Sequence, residues 1–233
     1  MIKVVFFDAG DTLLRPFPSF QELFAVTCRR AGYDVDANEV LALRTRLAPH
    51  LVDLAEETGI DKPSLSAEES RSFWRHLYRR FLEELGVTDD DLVDELYSVF
   101  SNSASYKLFD DVVPSLEQLV ERGYRLGLIS NFEEWLQRML VELEIHEHFE
   151  PTVISGLEGV EKPDPVIYQI AVERAGVDPS EAVHVGDSPK LDVEPASSVG
   201  LHAVLLDRFA AYPGATVDRI RSLEELPGLI ENF

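Results

Sequence analysis

The stretch Ile2-Lys3-Val4-Val5-Phe6-Phe7-Asp8-Ala9-Gly10-Asp11-Thr12-Leu13-Leu14 decides the fold. Ile2 to Phe7 is a short apolar run of β-branched and aromatic residues, stopped by Asp8 and Gly10. Such a run reads as a buried strand. Three more runs of this kind follow: Arg125 to Ile129, ended by Ser130-Asn131; Ala182 to Val185, ended by Gly186-Asp187; and His202 to Leu206, ended by Asp207. Pro151 to Ser155 is a weaker fifth. Helical patterns separate them. Val113, Leu116, Leu119 and Val120 share one face, and Gly123 ends that helix. Trp135, Leu136, Met139, Leu140 and Leu143 form a second face. Val166, Ile167, Ile170, Ala171 and Ala175 form a third, ended by Gly176. Strands alternating with helices predict an α/β fold with a parallel sheet covered on both sides.

Residues 16–106 read differently. They offer no convincing strand, and the apolar spacing predicts helices near Phe20–Ala31, Ala37–Glu57, Ala67–Leu85 and Asp89–Phe100. Gly32, Gly59 with Pro63, and Gly86 mark the turns, and Thr88 is placed to cap the last helix. The stripe Phe73, Trp74, Leu77, Tyr78 and Phe81 reads as core. The expected organisation is therefore an α/β core domain from residues 1–15 and 107–233, with a bundle of four helices, residues 16–106, inserted after the first strand.

Composition narrows the function. The 233 residues carry 21 Lys plus Arg against 43 Asp plus Glu, a net charge of −22. Such a surface repels nucleic acid and anionic lipid, so neither is an expected partner. The acidity is spread along the chain and reads as a solvated surface. The one cysteine, Cys28, excludes a disulfide framework or a thiolate metal cluster. The apolar run Val4–Phe7 is far shorter than the ~7–15 residues of a signal-peptide core or the ~20 of a membrane helix, which predicts a soluble, cytoplasmic protein.

In a parallel α/β sheet, ligands sit outside the carboxyl ends of the strands. The residues ending the runs are Asp8, Asp11 and Thr12; Ser130 and Asn131; and Asp187, Ser188 and Asp192. The loop Gly159-Val160-Glu161-Lys162-Pro163-Asp164-Pro165 adds Lys162. Clustered carboxylates repel one another unless a cation or shared protons relieve them. Asp8 beside Asp187 calls for a hard, oxygen-loving ion such as Mg²⁺. Lys162 beside a metal implies an anionic substrate, most simply a phosphate.

Four pieces carry a family resemblance: Asp8 to Leu14, Leu128-Ile129-Ser130-Asn131, Glu161-Lys162-Pro163-Asp164-Pro165, and Gly186-Asp187-Ser188 with Asp192. In order and spacing this set resembles the four signature motifs of the haloacid dehalogenase-like hydrolases, across essentially the whole chain. The inserted helices resemble that superfamily's cap, and the core its Rossmann-like parallel sheet. The resemblance implies Asp8 as a nucleophile that becomes an aspartyl-phosphate, with Thr12 orienting it. It implies that Ser130, with the backbone near Asn131, holds a phosphoryl oxygen, and that Lys162 balances the charge. It gives Mg²⁺ to Asp8, Asp187 and the Gly10 carbonyl, with Asp192 in support. The implied substrate is a small phosphorylated metabolite, the implied assembly a monomer or homodimer.

One position departs from the pattern. Phosphatases of the family carry an Asp two residues after the nucleophile, as acid and base; here that place holds Gly10, and Asp11 follows it. Adjacent side chains diverge at a strand end, which points Asp11 elsewhere; the alternative is that Asp11 takes over the acid role, and it stands with Asp8, Thr12, Ser130 and Lys162 among the candidate catalytic residues. Two other functions therefore stand beside a phosphatase: a metal-independent 2-haloacid dehalogenase, and a non-catalytic or regulatory protein on the same fold. The dehalogenases carry Ser and Asn where this chain has Gly186-Asp187, which speaks against the first. Leu191 also stands where Asn is usual. Elsewhere, His146-Glu147-His148 reads as surface, His184 and Cys28 as core, and Arg15 as a hinge residue.

Overall fold

The strands of the computed structural model are β1 (Val4–Phe7), β2 (Leu14–Pro16), β3 (Tyr106–Leu108), β4 (Arg125–Ser130), β5 (Phe149–Ile154), β6 (Ala182–Gly186), β7 (His202–Leu206) and β8 (Arg219–Ile220). The structure describes residues 1–47, 59–60 and 62–233. Six strands form one sheet in the order β5-β4-β1-β6-β7-β8, and every pairing is parallel. The uninterrupted apolar run of β1 has no face suited to water, and it takes the centre: Val4–Phe7 lie between Arg125–Leu128 and Ala182–Val185. All four residues are fully buried. The chain steps from β1 to β4 and β5 on one side, then returns to β6 on the other. That reversal opens a crevice at the carboxyl ends of β1, β4 and β6.

Among the described residues, the α-helices of five residues or more are α1 (Phe20–Arg30), α2 (Ala37–Leu47), α3 (Ala67–Glu84), α4 (Asp90–Phe100), α5 (Val112–Glu121), α6 (Leu136–Glu142), α7 (Pro165–Ala175), α8 (Glu194–Val199) and α9 (Leu226–Ile230). Local chemistry sets their ends. Asp164 caps α7 by accepting the Val166 N–H at 3.0 Å, Pro165 opens it, and Gly176 closes it in the left-handed region at φ 64°. The chain divides into two units, Met1–Leu14 with Leu108–Phe233, and Arg15–Lys107. β2 and β3 pair where the chain passes between them. The first unit packs Ile167, Tyr168 and Ala171 of α7 with Val4 and Phe6 of β1. The second is the helical cap. Phe24, Tyr78, Phe81 and Phe100 form its centre, with Phe20 and Phe100 rings stacked at 4.9 Å.

Several expectations change. Asp89, not Thr88, caps α4, because its carboxylate accepts the Leu92 N–H at 3.0 Å. On α5 the buried face is Val112, Leu116 and Leu119, while Val113 and Val120 are 36% and 49% exposed. Trp74 leaves the core stripe of α3 at 37% exposure and stacks on Tyr78 from outside. The part of the expected second helix beyond Leu47 lies outside the described residues. The strand pair β2/β3 and the two-residue β8 carry no signal in the sequence, since runs of two or three residues have no period.

Gly127 lies opposite Phe6 in the sheet. A Cβ there would sit 2.6 Å from the Phe6 ring and 3.0 Å from the Pro151 carbonyl oxygen. Gly127→Ala should therefore destabilise the protein by roughly 1–3 kcal/mol, the usual cost of overpacking. Thermal unfolding of the variant beside wild type would show it.

Candidate active site

Asp8 follows the last residue of β1, and its N–H donates to the Val185 carbonyl of β6 at 2.9 Å. The strand end therefore aims the carboxylate over the rim. Ser130, at the end of β4, donates its hydroxyl to Asp8 Oδ1 at 3.1 Å. Lys162 Nζ donates to the same oxygen at 2.7 Å and to Asp192 Oδ1 at 2.6 Å. Lys162 and Asp192 are buried, and the Asp8 side chain keeps only 10% of its surface exposed. Asp187 follows β6. One oxygen each from Asp8, Asp187 and Asp192 lies within 4.8 Å of the others.

Three local devices hold this arrangement. First, Asn131 clamps the backbone of Lys162: its Oδ1 accepts the Lys162 N–H at 2.7 Å and its Nδ2 donates to the Lys162 carbonyl at 2.8 Å. Its carboxamide thus fixes the lysine loop. Second, residues Pro189–Val193 form a π turn, a feature frequent at functional sites, that turns Asp192 back against β6. Asp192 Oδ2 there accepts the Ser188 N–H at 3.0 Å. Third, Gly186 makes room for it: a Cβ at that position would lie 2.2 Å from Asp192 Cγ. His184, buried in β6, places Nε2 3.0 Å from Asp192 Oδ1.

The charges act on one another strongly. Burial, then the like charges of Asp11, Asp192 and Asp8, hold the Asp187 carboxyl well above the ordinary range. Burial also raises Asp8, against the pull of Lys162. Asp192 goes the other way: burial opposes its charge, but Lys162 and the hydrogen bond from His184 outweigh it and hold its pKa below the usual range. Lys162 is likewise opposed by burial, yet Asp192 and Asp8 push its pKa above that of a free lysine.

The structure brings Asp8, Ser130, Asn131, Lys162, Asp187 and Asp192 together. Thr12 is buried on the turn after β1. Asp11 lies on the same turn. It adopts φ 53°, in the left-handed region, so strand alternation does not govern where it points. Its charge is the strongest of those acting on Asp187. His146 is exposed and His148 half-buried, away from the cluster. Sequence reasoning missed the tie from His184 to Asp192 and the close approach that demands Gly186. The sequence marks His184 only as strand interior and Gly186 only as the end of the run. Among the described residues no helix is long and apolar enough to cross a membrane.

Comparison with known proteins agrees with this layout. The family model for haloacid dehalogenase-like hydrolases matches residues 2–200. The human haloacid dehalogenase-like hydrolase domain-containing protein 3 is 30% identical, over 98% of this chain and 91% of its own. A glyceraldehyde 3-phosphate phosphatase of Methanopyrus kandleri is 33% identical over 89% and 85%. A phosphoserine phosphatase of Thermus thermophilus is 31% identical over 89% of both. A Bacillus subtilis HAD-hydrolase solved with magnesium shares the fold at a TM-score of 0.73 and 18% identity, over 98% of both chains. The chain belongs to the haloacid dehalogenase-like hydrolases, and its inserted helices are the cap of that family.

The raised Asp187 pKa has a stability consequence without added metal. A carboxyl whose folded pKa lies above its unfolded value stabilises the fold below the unfolded pKa, and that contribution is lost as pH rises through the folded one. Asp187→Asn removes the charge and should raise the melting temperature in EDTA at neutral pH. The gain should vanish as pH falls towards the ordinary Asp value of 3.8. Melting curves across that range would check it.

Proposed function

We propose that the protein is a Mg²⁺-dependent phosphomonoester hydrolase that acts on small phosphorylated metabolites through an aspartyl-phosphate on Asp8. The observation that carries this reading is the Asp8 carboxylate held by Lys162 and Ser130, with Asp187 and Asp192 oxygens within 4.8 Å. The two phosphatases among its relatives support the substrate class.

The donor set fits the metal. Three hard carboxylate oxygens, one on a residue whose pKa is raised by burial and then by its like-charged neighbours, suit a small divalent cation. Asp8 and Asp187 would hold it, with Asp192 in support. The turn after β1 pairs the Asp11 N–H with the Leu14 carbonyl and the Leu14 N–H with the Ala9 carbonyl, which leaves the Gly10 carbonyl out of its bonds and suited to the same ion. Bound there, Mg²⁺ supplies Lewis-acid stabilisation of charge on the phosphoryl oxygens.

The chain's own residues then do the rest. Lys162 and Ser130 orient Asp8 and meet the charge of the transferring group. A carboxylate oxygen of Asp8 bonds to phosphorus as the ester P–O bond breaks, and the leaving alkoxide takes a proton. Water next attacks phosphorus, loses a proton, and releases Asp8 with inorganic phosphate. The proton donor is the altered part. Gly10 has no side chain to give one, and Asp11, which acts electrostatically on Asp187, is the acid nearest in sequence to that place. A phosphate-ester screen with and without Mg²⁺ tests the whole reading. Metal-independent release of halide from a 2-haloacid, with no phosphatase activity, would overturn it.

Two variants test the roles. Asp8→Asn should cut turnover by roughly 10⁴-fold or more, as loss of a nucleophile does, with the melting curve still cooperative. Beryllium fluoride, which mimics a phosphoryl group on a carboxylate, should stabilise wild type only.

Gly10→Asp should raise alkyl phosphate hydrolysis by ~10²-fold while changing p-nitrophenyl phosphate little, because a stable leaving anion needs no acid. Steric room exists: nothing lies within 4 Å of a Cβ built on Gly10. Asp11→Asn should cost the alkyl rate selectively if Asp11 is the acid. Steady-state rates on both substrate types decide between these outcomes.

A further inference from the structure

Arg208 lies just past β7, outside every motif discussed above, yet its side chain is only 9% exposed. Its guanidinium serves three partners at once. Nη2 donates to the Thr12 carbonyl at 2.9 Å, with Nε at 3.3 Å from the same oxygen. Nη1 and Nη2 donate to the two carboxylate oxygens of Asp111 at 2.8 and 3.0 Å. The ring of Phe109 lies 4.1 Å beneath it. Asp111 in turn accepts the Ser222 hydroxyl at 2.8 Å and the Leu223 N–H at 2.9 Å.

What Arg208 grips is the turn after β1. In that turn Leu13 and Leu14 donate to the Ala9 carbonyl at 2.8 and 3.0 Å, and Asp11 donates to Leu14 at 2.8 Å. Phe109 donates to the Leu13 carbonyl at 3.0 Å. The turn includes Asp11 at φ 53°, a conformation a non-glycine residue keeps only when its surroundings hold it. The Thr12 carbonyl takes both of its side-chain donors from Arg208, and it belongs to the peptide that follows Asp11 and Thr12. A planar fork with five N–H donors can hold a carbonyl and a carboxylate together; an ammonium cannot.

We infer that Arg208 is a positioning residue of the active site: stacked on Phe109 and forked onto the Thr12 carbonyl, it locks the turn that presents Gly10, Asp11 and Thr12 beside Asp8, and the Asp111 charge is not required for that hold. The brace itself is independent of the proposed reaction, whereas its effect on metal binding rests on that reading.

The test compares Arg208→Lys and Arg208→Gln with Asp111→Asn. All three weaken the same buried pair, but only the Arg208 variants strip the fork from the Thr12 carbonyl. Hydrogen exchange on the metal-free protein is the first readout. In both Arg208 variants the Asp11, Leu13 and Leu14 amides should exchange at least tenfold faster than in wild type, and in Asp111→Asn they should stay near wild type. Mg²⁺ titration by calorimetry is the second. Arg208→Lys should bind about 10- to 100-fold more weakly, the range for residues that orient metal ligands, and Asp111→Asn within about twofold of wild type. Equal exchange in all three variants, or failure of both Arg208 variants to fold while Asp111→Asn folds, would make Arg208 a structural brace only and overturn the inference. A wild type that binds no Mg²⁺ but shows the exchange pattern would sink the metal reading and leave the positioning role standing.

Discussion

Everything at the rim depends on one buried ammonium. Lys162 Nζ lies between Asp8 and Asp192 with 2% of its side chain exposed. A charge taken out of water costs several kcal/mol unless partners are in place, so the lysine is stranded only if both carboxylates are lost. Conversely, Asp8 and Asp192 so near each other, with Asp187 beside them, would repel without it. The lysine is thus both the counter-ion that lets the acids gather and the charge that meets an anion arriving at Asp8. Its position is not left to its own flexible stem. The Asn131 clamp fixes the backbone from which the stem grows, and because Asn131 follows Ser130, the two donors to Asp8 Oδ1 are tied to one strand end.

The second carboxylate shows how far backbone geometry serves charge placement. Asp192 reaches Lys162 because the π turn swings it inward and Gly186 yields the space. His184 then shares Oδ1 with the lysine, and the Ser188 N–H takes one site on Oδ2. Asp187, two residues from the start of that turn, receives no such shelter, and its pKa moves in the opposite direction. The pKa values of two acids five residues apart thereby shift in opposite directions through environment alone, one lowered beside the lysine, the other raised by burial and like charges.

Much of this was legible in the sequence. Val4–Phe7 announced a central strand because four apolar residues in a row leave no solvent face. The acids stopping β1 and β6 were visible as the rim of a parallel sheet, and the Lys162 loop fell between them in a spacing that resembles one family. What the sequence hid was three-dimensional closeness. Gly186 reads as an ordinary strand ending, and Arg208 as a charged loop residue. Thr12 and Asp111, the partners of Arg208, are brought to it only by the completed sheet. Helix faces were misread where α5 carries apolar residues on two sides, since Val113 and Val120 fit the helical period as well as Val112 does.

The position of β1 in the sheet carries a consequence for how the protein is made. Val4 pairs with Arg125 on one side and Ala182 on the other, so β1 cannot find either neighbour until more than a hundred further residues have been made. Contacts so distant in sequence make for slow folding. The inserted helices meet mainly through nearer contacts, such as those joining α1 to α2 and α3 to α4. They can therefore form while β1 waits. The delay that the insertion adds is small, because the entropic cost of closing a loop grows only with the logarithm of its length. During that wait a flat apolar strand ending in Asp8 stands unpaired, and the chain is most exposed to aggregation before its catalytic rim exists.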